Sequence, residues 1–189
     1  QLQPGRKDAH LNLIIAHENL ENWQAMIEPL EALIQAEPHN AEYHAQLGAV
    51  HHKLNNNQSA LPHLQEAVRL DPGDQASIYR LGEIHLRLGN YAEAVDHLER
   101  AISGFPFPYQ RYYNLGLAYA HLQQYDKAVM NFQKCIEEQP GFAPAYYNLG
   151  AVYQNTGQPR QAIEMYNKAL EVDPALTEAK HNLETLNKT

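Results

Sequence analysis

The small and apolar positions of this chain recur at helical intervals. In the stretch AEYHAQLGAVHHKL, the residues His44, Leu47, Gly48 and His51 follow one another at the spacing of a single helix face. Ala60 and Ala67 form a second stripe, one heptad apart, a few residues further on. The pattern predicts two helices packed closely through small residues. Gly48 has no side chain, so a neighbouring helix can approach its backbone, and Ala60 and Ala67 allow the same from the facing side. A large residue at these positions would force the pair apart, at a cost of about 1–3 kcal/mol each. Leu64, Leu98, Phe132 and Tyr166 are the large residues expected beside the small contacts. Segments such as LNNN, LGN and NTGQP carry the turn residues that separate helices.

The same wording returns at a fixed interval. Leu47-Gly48, Leu81-Gly82, Leu115-Gly116 and Leu149-Gly150 are separated by steps of 34 residues. Ala60, Ala94, Ala128 and Ala162 keep this beat, and so do Ala67, Ala101, Cys135 and Ala169. Pro38, Pro72, Pro106, Pro140 and Pro174 close successive units, where a proline cannot continue a helix. Tyr91 and Tyr125 stand at the turn inside two units, and Trp23 takes that place in the first.

This pattern resembles the tetratricopeptide repeat family over residues 7 to 189. The units are 7–40, 41–74, 75–108, 109–142 and 143–176, after an N-terminal tail of residues 1–6. A capping helix and C-terminal tail occupy 177–189. The resemblance implies an all-α solenoid: two antiparallel helices per unit, A then B, stacked into a right-handed superhelix whose concave face is lined by A helices. The ends depart from the pattern. Glu184 stands at the glycine position of the last half unit, which suits a polar-faced cap whose Ala179, Leu183 and Leu186 cover the final B helix. Ile14 replaces the glycine of the first unit, and Pro29 falls inside its B helix, so that unit is expected to be kinked. Pro62 is expected near the start of its helix, where amides are unpaired anyway.

In the family, the second, fifth, sixth, ninth, twelfth and thirteenth positions of each unit line the groove. In this chain the fifth gives Leu11, Ala45, Tyr79, Tyr113, Tyr147 and His181. The sixth gives Asn12, Gln46, Arg80, Asn114, Asn148 and Asn182, and the ninth gives Ile15, Ala49, Glu83, Leu117 and Ala151. Tyr79, Tyr113 and Tyr147 form an expected row of exposed rings, a residue type favoured at interfaces. Asn114, Asn148 and Asn182 form an expected ladder of amides, each with an acceptor and two donors for a peptide main chain. The ladder resembles in part that of O-linked N-acetylglucosamine transferases, with Arg80 breaking the run. Packed helices lie about 10 Å apart and an extended peptide advances about 3.4 Å per residue, so one rung could meet roughly every third residue. The expected peptide-binding residues are therefore Tyr79, Arg80, Tyr113, Asn114, Leu117, Tyr147, Asn148 and Asn182. The carboxylate clamp of chaperone-tail readers is not expected, since Leu11 and Ile15 occupy two of its positions.

Composition narrows the partner. The 22 acids exceed the 14 bases for a net charge of -8, which speaks against nucleic acid and anionic membranes. The acidity is concentrated: residues 7–40 carry Asp8, Glu18, Glu21, Glu28, Glu31 and Glu37 against Lys7 alone. Cys135 is the single cysteine, at a small inter-helix position, so it is read as an inert core thiol and not a nucleophile. Several of the 11 histidines share a phase, but His44 and His51 stand two turns apart, too far for one metal ion, and the histidines are read as packing residues. No phosphate loop, nucleophile elbow or zinc-protease motif occurs in the sequence. No metal or other cofactor and no catalytic activity is expected. The chain carries no signal peptide or transmembrane run, which favours a cytoplasmic address. Because it begins at Gln1, it is expected to be a piece of a longer protein. The reading is a scaffold or adaptor that holds an extended peptide or partner segment in its groove. Two alternatives are a substrate-selecting arm of a larger enzyme such as a glycosyltransferase, and an array that associates with itself.

Overall fold

A computed structural model describes residues 4–101 and 108–187, and these are helical almost throughout. Eleven α-helices follow one another: α1 (Pro4–Asn19), α2 (Ile27–Ala36), α3 (Ala41–Lys53), α4 (Asn57–Leu70), α5 (Gln75–Arg87), α6 (Tyr91–Arg100), α7 (Pro108–His121), α8 (Tyr125–Glu138), α9 (Ala143–Asn155), α10 (Pro159–Val172) and α11 (Thr177–Leu186). Odd-numbered helices are A helices, even-numbered ones are B helices, and α11 is unpaired. α1 starts inside the expected tail. Pro106, one of the closing prolines, lies outside the described residues.

The small residues set the pairing of A with B. A Cβ built on Gly48 or Gly82 would stand 2.6 Å from the side chain of Leu64 or Leu98. At Gly116 it would meet the Phe132 ring at 2.6 Å, and at Gly150 the Tyr166 ring at 2.8 Å. These four large residues are fully buried, so each is pressed onto bare backbone. Ala60, Ala67, Ala94, Ala101, Ala128, Cys135, Ala162 and Ala169 are buried with them. The first hairpin solves the same problem differently. Ile14, Met26 and Leu33 stand where the later units have Gly, Ala and Ala, and all three are buried together with Leu30. Side chains there fill the space that close approach removes elsewhere.

Prolines are accommodated locally. The first B helix opens as a 3₁₀ turn, Trp23–Met26, and becomes α-helical at Ile27. Pro29 therefore sits in the first turn of α2, where its missing N–H leaves no α-helical bond broken. The expected kink takes the form of this change of helix type. Pro62 lies deeper than expected, past the first turn of α4. Pro62 and Gln58 are both exposed, so the carbonyl of Gln58 is left to water.

Each of the five A helices that is followed by a B helix ends in the same cap. One residue adopts a left-handed backbone: Glu21 (φ 51°), Asn55 (60°), Gly89 (79°), Gln123 (58°) and Gly157 (73°). In every case the next amide reaches back to a carbonyl five residues earlier, as in Asn56 N to His51 O at 2.8 Å and Gln124 N to Tyr119 O at 2.9 Å. This is the Schellman arrangement, in which glycine is favoured because it carries no Cβ. Only two of the five turns use it.

Consecutive A helices pack against each other (α3 on α5, α5 on α7, α7 on α9) far more than consecutive B helices do among the described residues. The stack therefore curves with the A helices inside. At its end, α11 buries Ala179 against α10 and lays Leu183 and Leu186 on the same cluster, while Glu184 stays exposed.

Two outcomes follow from this packing. Gly116→Ala is expected to destabilise the chain by about 1–2 kcal/mol in chemical denaturation, because overpacking against the immovable Phe132 ring outweighs alanine's helix preference. Gly5→Ala in α1, with open space around it, should cause no loss. Gln123→Gly is expected to gain about 1 kcal/mol by relieving the left-handed backbone; an unchanged midpoint would mean that the turn carries no such strain.

Candidate functional site

Two hollows open on the inner face among the described residues, and both are lined largely by the groove positions read in the sequence. The first, of about 240 Å³, lies over α3. Its floor is Ala45, Ala49 and Val50, and its walls are Trp23 and Met26 on one side and Ala76 and Arg80 of α5 on the other. Ala45 and Ala49 leave room where the next unit has Tyr79 and Glu83. The Lys53 ammonium lies 3.6 Å from the centroid of the Trp23 ring, a cation–π contact that braces one wall. Asp74 helps shape the opposite rim by capping α5, its Oδ1 accepting from the amides of Ala76 and Ser77 at 3.1 Å. Glu18 and Glu42 also line the hollow, so it holds three carboxylates and two cations.

Two polar groups in this hollow are available. Gln46 donates to Glu42 Oε1 at 3.2 Å, but its own Oε1 is buried and accepts no hydrogen bond among the described residues. Arg80 is half-buried, and no carboxylate of the described residues forms an ion pair with it. A buried acceptor without a donor costs about 1–3 kcal/mol.

The second hollow, of about 200 Å³, lies between α7 and α9. Leu117, Ala120 and His121 face Asn148, Ala151 and Asn155 across it, with Phe132 behind. His121 is held by stacking on Tyr91, ring centroids 4.2 Å apart and nearly parallel.

The tyrosine row and the asparagine ladder differ from expectation. They bond to one another, between successive A helices. Asn114 Nδ2 donates to the Tyr79 hydroxyl at 3.0 Å, and Asn148 Nδ2 to the Tyr113 hydroxyl at 3.1 Å. Tyr79 is only 3% exposed and so offers no ring to the groove. Burial, reinforced by Glu83, raises the pKa of its phenol, and burial raises that of Tyr113. The reason is reach. A phenol at the fifth position extends into the junction with the next A helix, and there its hydroxyl needs a partner. The amide 35 residues on supplies one. Tyr113 is half-buried, its ring edge-on to Phe142 at 5.0 Å. Asn182 donates instead to Tyr166 of the last B helix, at 3.2 Å, and not to Tyr147. Tyr147 is half-buried beside Tyr166, ring centroids 5.8 Å apart. Asn148 gives its second N–H to the Pro144 carbonyl at 2.9 Å. What Asn148 retains for a ligand is its acceptor oxygen alone.

His44, His51, His63, His85 and His97 pack into the layer between A and B helices, whereas His39, His121 and His181 are exposed. His44 Nε2 is 3.1 Å from the Pro38 carbonyl, so that nitrogen carries the proton. Its bare Nδ1 then accepts from His63 Nδ1 at 3.3 Å. His51 stacks on His63 at 6.0 Å, and His85 on His97 at 5.3 Å. Burial lowers the pKa of all four of His51, His63, His85 and His97; neighbouring histidines add to the effect on His63 and His97, and Glu31, Glu93 and, for His97, Asp96 oppose it. Among the described residues no group of three or more His, Cys, Asp or Glu side chains is placed to hold a metal ion. Cys135 is fully buried, which pushes its thiol up to about 12.

Comparison with known proteins agrees with the geometry. The tetratricopeptide repeat family matches residues 41–74, 79–141 and 143–176. A crystal structure of MamA superposes with a TM-score of 0.82 at 26% identity, covering 91% of this chain and 94% of MamA. MamA of Desulfovibrio magneticus RS-1, from residue 41 to its end, gives 0.82 at 22% identity over 90% of this chain and 97% of its own. YrrB, described as having an unusual peptide-binding site, gives 0.83 at 22% identity over 91% and 89%. Those two, at 22%, share the fold. No curated protein sequence matches the chain.

The histidine layer generates a pH prediction. Above about pH 6.5 the four shifted rings are neutral in both folded and unfolded states. Below it the unfolded chain takes up protons that the folded chain resists, so stability falls with pH. The thermal midpoint is expected to be lower at about pH 5.5 than at about pH 7.5; equal midpoints would contradict the buried neutral assignment.

Proposed function

The chain belongs to the tetratricopeptide repeat family, and on that premise we propose that it is an adaptor that binds an extended segment of a partner protein along its A helices. The observation that carries the reading is the buried Oε1 of Gln46, without a hydrogen bond among the described residues, in the lining of a hollow that also holds Arg80, which forms no ion pair among them. An extended peptide presents main-chain N–H groups at regular intervals, and one of them would satisfy Gln46. A side chain of the same peptide enters between Trp23 and Arg80 over the two alanines. Arg80 pairs with a carboxylate or carbonyl of the ligand. Further along, the free acceptor of Asn148 takes another N–H beside Leu117 and Ala151. Asn114 and Asn182 belong to the same line of amides, while Tyr79, Tyr113 and Tyr147 hold the wall from behind.

The proposal assigns the chain no catalysis. A substrate-selecting arm of a larger enzyme, the reading suggested by the asparagine ladder, is less favoured because Asn114 and Asn148 already donate to tyrosine hydroxyls.

A random-peptide phage library panned against the full chain tests the idea. Selected peptides are expected to lose at least about tenfold in affinity for Ala49→Trp, which fills the first hollow, and for Gln46→Leu. The Gln46→Leu variant should be as stable as the parent or more so, since a buried acceptor without a donor is removed. Selected peptides that bind both variants as well as the parent would end the proposal.

A further inference from the structure

A second cleft, of about 470 Å³, opens on the outer side of the stack between α6, α7 and α8. Its floor is Leu98, Leu115 and the rings of Tyr112 and Tyr119, and Met130, 54% exposed, stands at its edge. Three cations line it. The Arg111 guanidinium lies 4.8 Å from the Tyr112 centroid, the Lys134 ammonium 5.4 Å from the same ring, and the Lys127 ammonium 4.9 Å from that of Tyr119. Arg111 is fixed further by donating to the Ala101 carbonyl at 2.6 Å. None of the three is in an ion pair among the described residues. Glu99, the carboxylate that lines the cleft, accepts from the Tyr119 hydroxyl. Asp126, Glu137 and Glu138 share α8 with two of the cations but do not line the cleft.

The repeat itself provides a control. One unit earlier, the positions of Arg111, Lys127 and Lys134 hold Ser77, Glu93 and Arg100, the last paired with Asp96 at 3.4 Å. One unit later they hold Ala145, Gln161 and Lys168, the last paired with Glu164 at 2.9 Å. Ser77 and Ala145 are fully buried, so an arginine at that position is peculiar to this unit, and neither neighbouring unit has an unpaired cation at the two lysine positions among the described residues. Three cations against the single carboxylate of Glu99, on a chain of net charge -8, make a local reversal of sign.

We propose that this cleft docks an acidic segment of a partner protein, with an apolar side chain on the floor and flanking carboxylates on Arg111, Lys127 and Lys134. Asn131 distinguishes a peptide from a bare anion. It is buried, lines the cleft and donates Nδ2 to the Lys127 carbonyl at 2.8 Å, leaving its oxygen to accept a ligand N–H. The site is separate from the inner groove, so one chain could hold two partners.

The probe is an acetylated, amidated peptide with glutamates on both sides of one leucine, titrated into the full chain by calorimetry. Binding is expected, and it should weaken as sodium chloride is raised. Lys127→Glu with Lys134→Glu, both exposed positions, is expected to cost at least about tenfold, and the glutamine analogue of the peptide should not bind. Ala49→Trp should leave binding unchanged, which separates this proposal from the inner-groove reading. Equal binding by the charge-reversed variant, equal binding of the glutamine analogue, loss of binding in Ala49→Trp, or displacement by equimolar inorganic phosphate would each overturn it. So would self-association of the chain alone that the two reversals abolish, which would give the cleft to the acidic first hairpin of a second copy.

Discussion

Four contacts between bare backbone and a large buried side chain hold this stack together: Leu64 on Gly48, Leu98 on Gly82, Phe132 on Gly116 and Tyr166 on Gly150. Each fixes how closely an A helix and its B helix can lie. Once that separation is set, the alanines on the B helix can also touch, and the next unit meets a surface of defined shape. The first hairpin shows that the constraint is volumetric and not specific to glycine. Its Ile14, Met26 and Leu33 restore by side chains what the other units obtain by proximity.

The inner face inherits its relief from this regular spacing. Because the A helices are presented in register, the identity of one residue per unit decides whether the surface is raised or hollow. Alanine at the fifth and ninth positions of the second unit makes a basin, whereas tyrosine at the fifth position of the third fills the junction beyond it. The relief of the inner face is therefore local, concentrated in two basins, and the Tyr79 and Tyr113 hydroxyls between them are taken up by amides of the next A helix.

The period of 34 and the small contact residues were legible in the sequence, because only residues without bulk permit close backbone approach and their recurrence has few other causes. The basin over α3 was partly legible, as Ala45 and Ala49 against Tyr79 and Glu83. Its depth depends on Trp23, whose placement follows from the 3₁₀ turn that opens the first B helix. The burial of Tyr79 was not legible. It depends on the length of a phenol relative to the gap between neighbouring A helices, a distance that no residue pattern states. The left-handed turns at Glu21 and Gln123 were hidden for another reason: their side chains are tolerated there at a cost, and only the glycines of the equivalent turns advertise the geometry.

The phenol–amide links between neighbouring A helices also divide the stack by how its units are joined. They join the third unit to the fourth and the fourth to the fifth, and a related link ties the cap to α10. Leu11 and Ala45 occupy the fifth position in the first two units, so no such tether crosses those junctions. Those junctions are joined by other contacts: Lys53 lies over the Trp23 ring between the first two units, and His52 faces Glu83 while Arg87 donates to Asn55 between the second and third. The basin over α3 lies at those junctions, so the residues that join the units there, Trp23 and Lys53, are also residues of its rim.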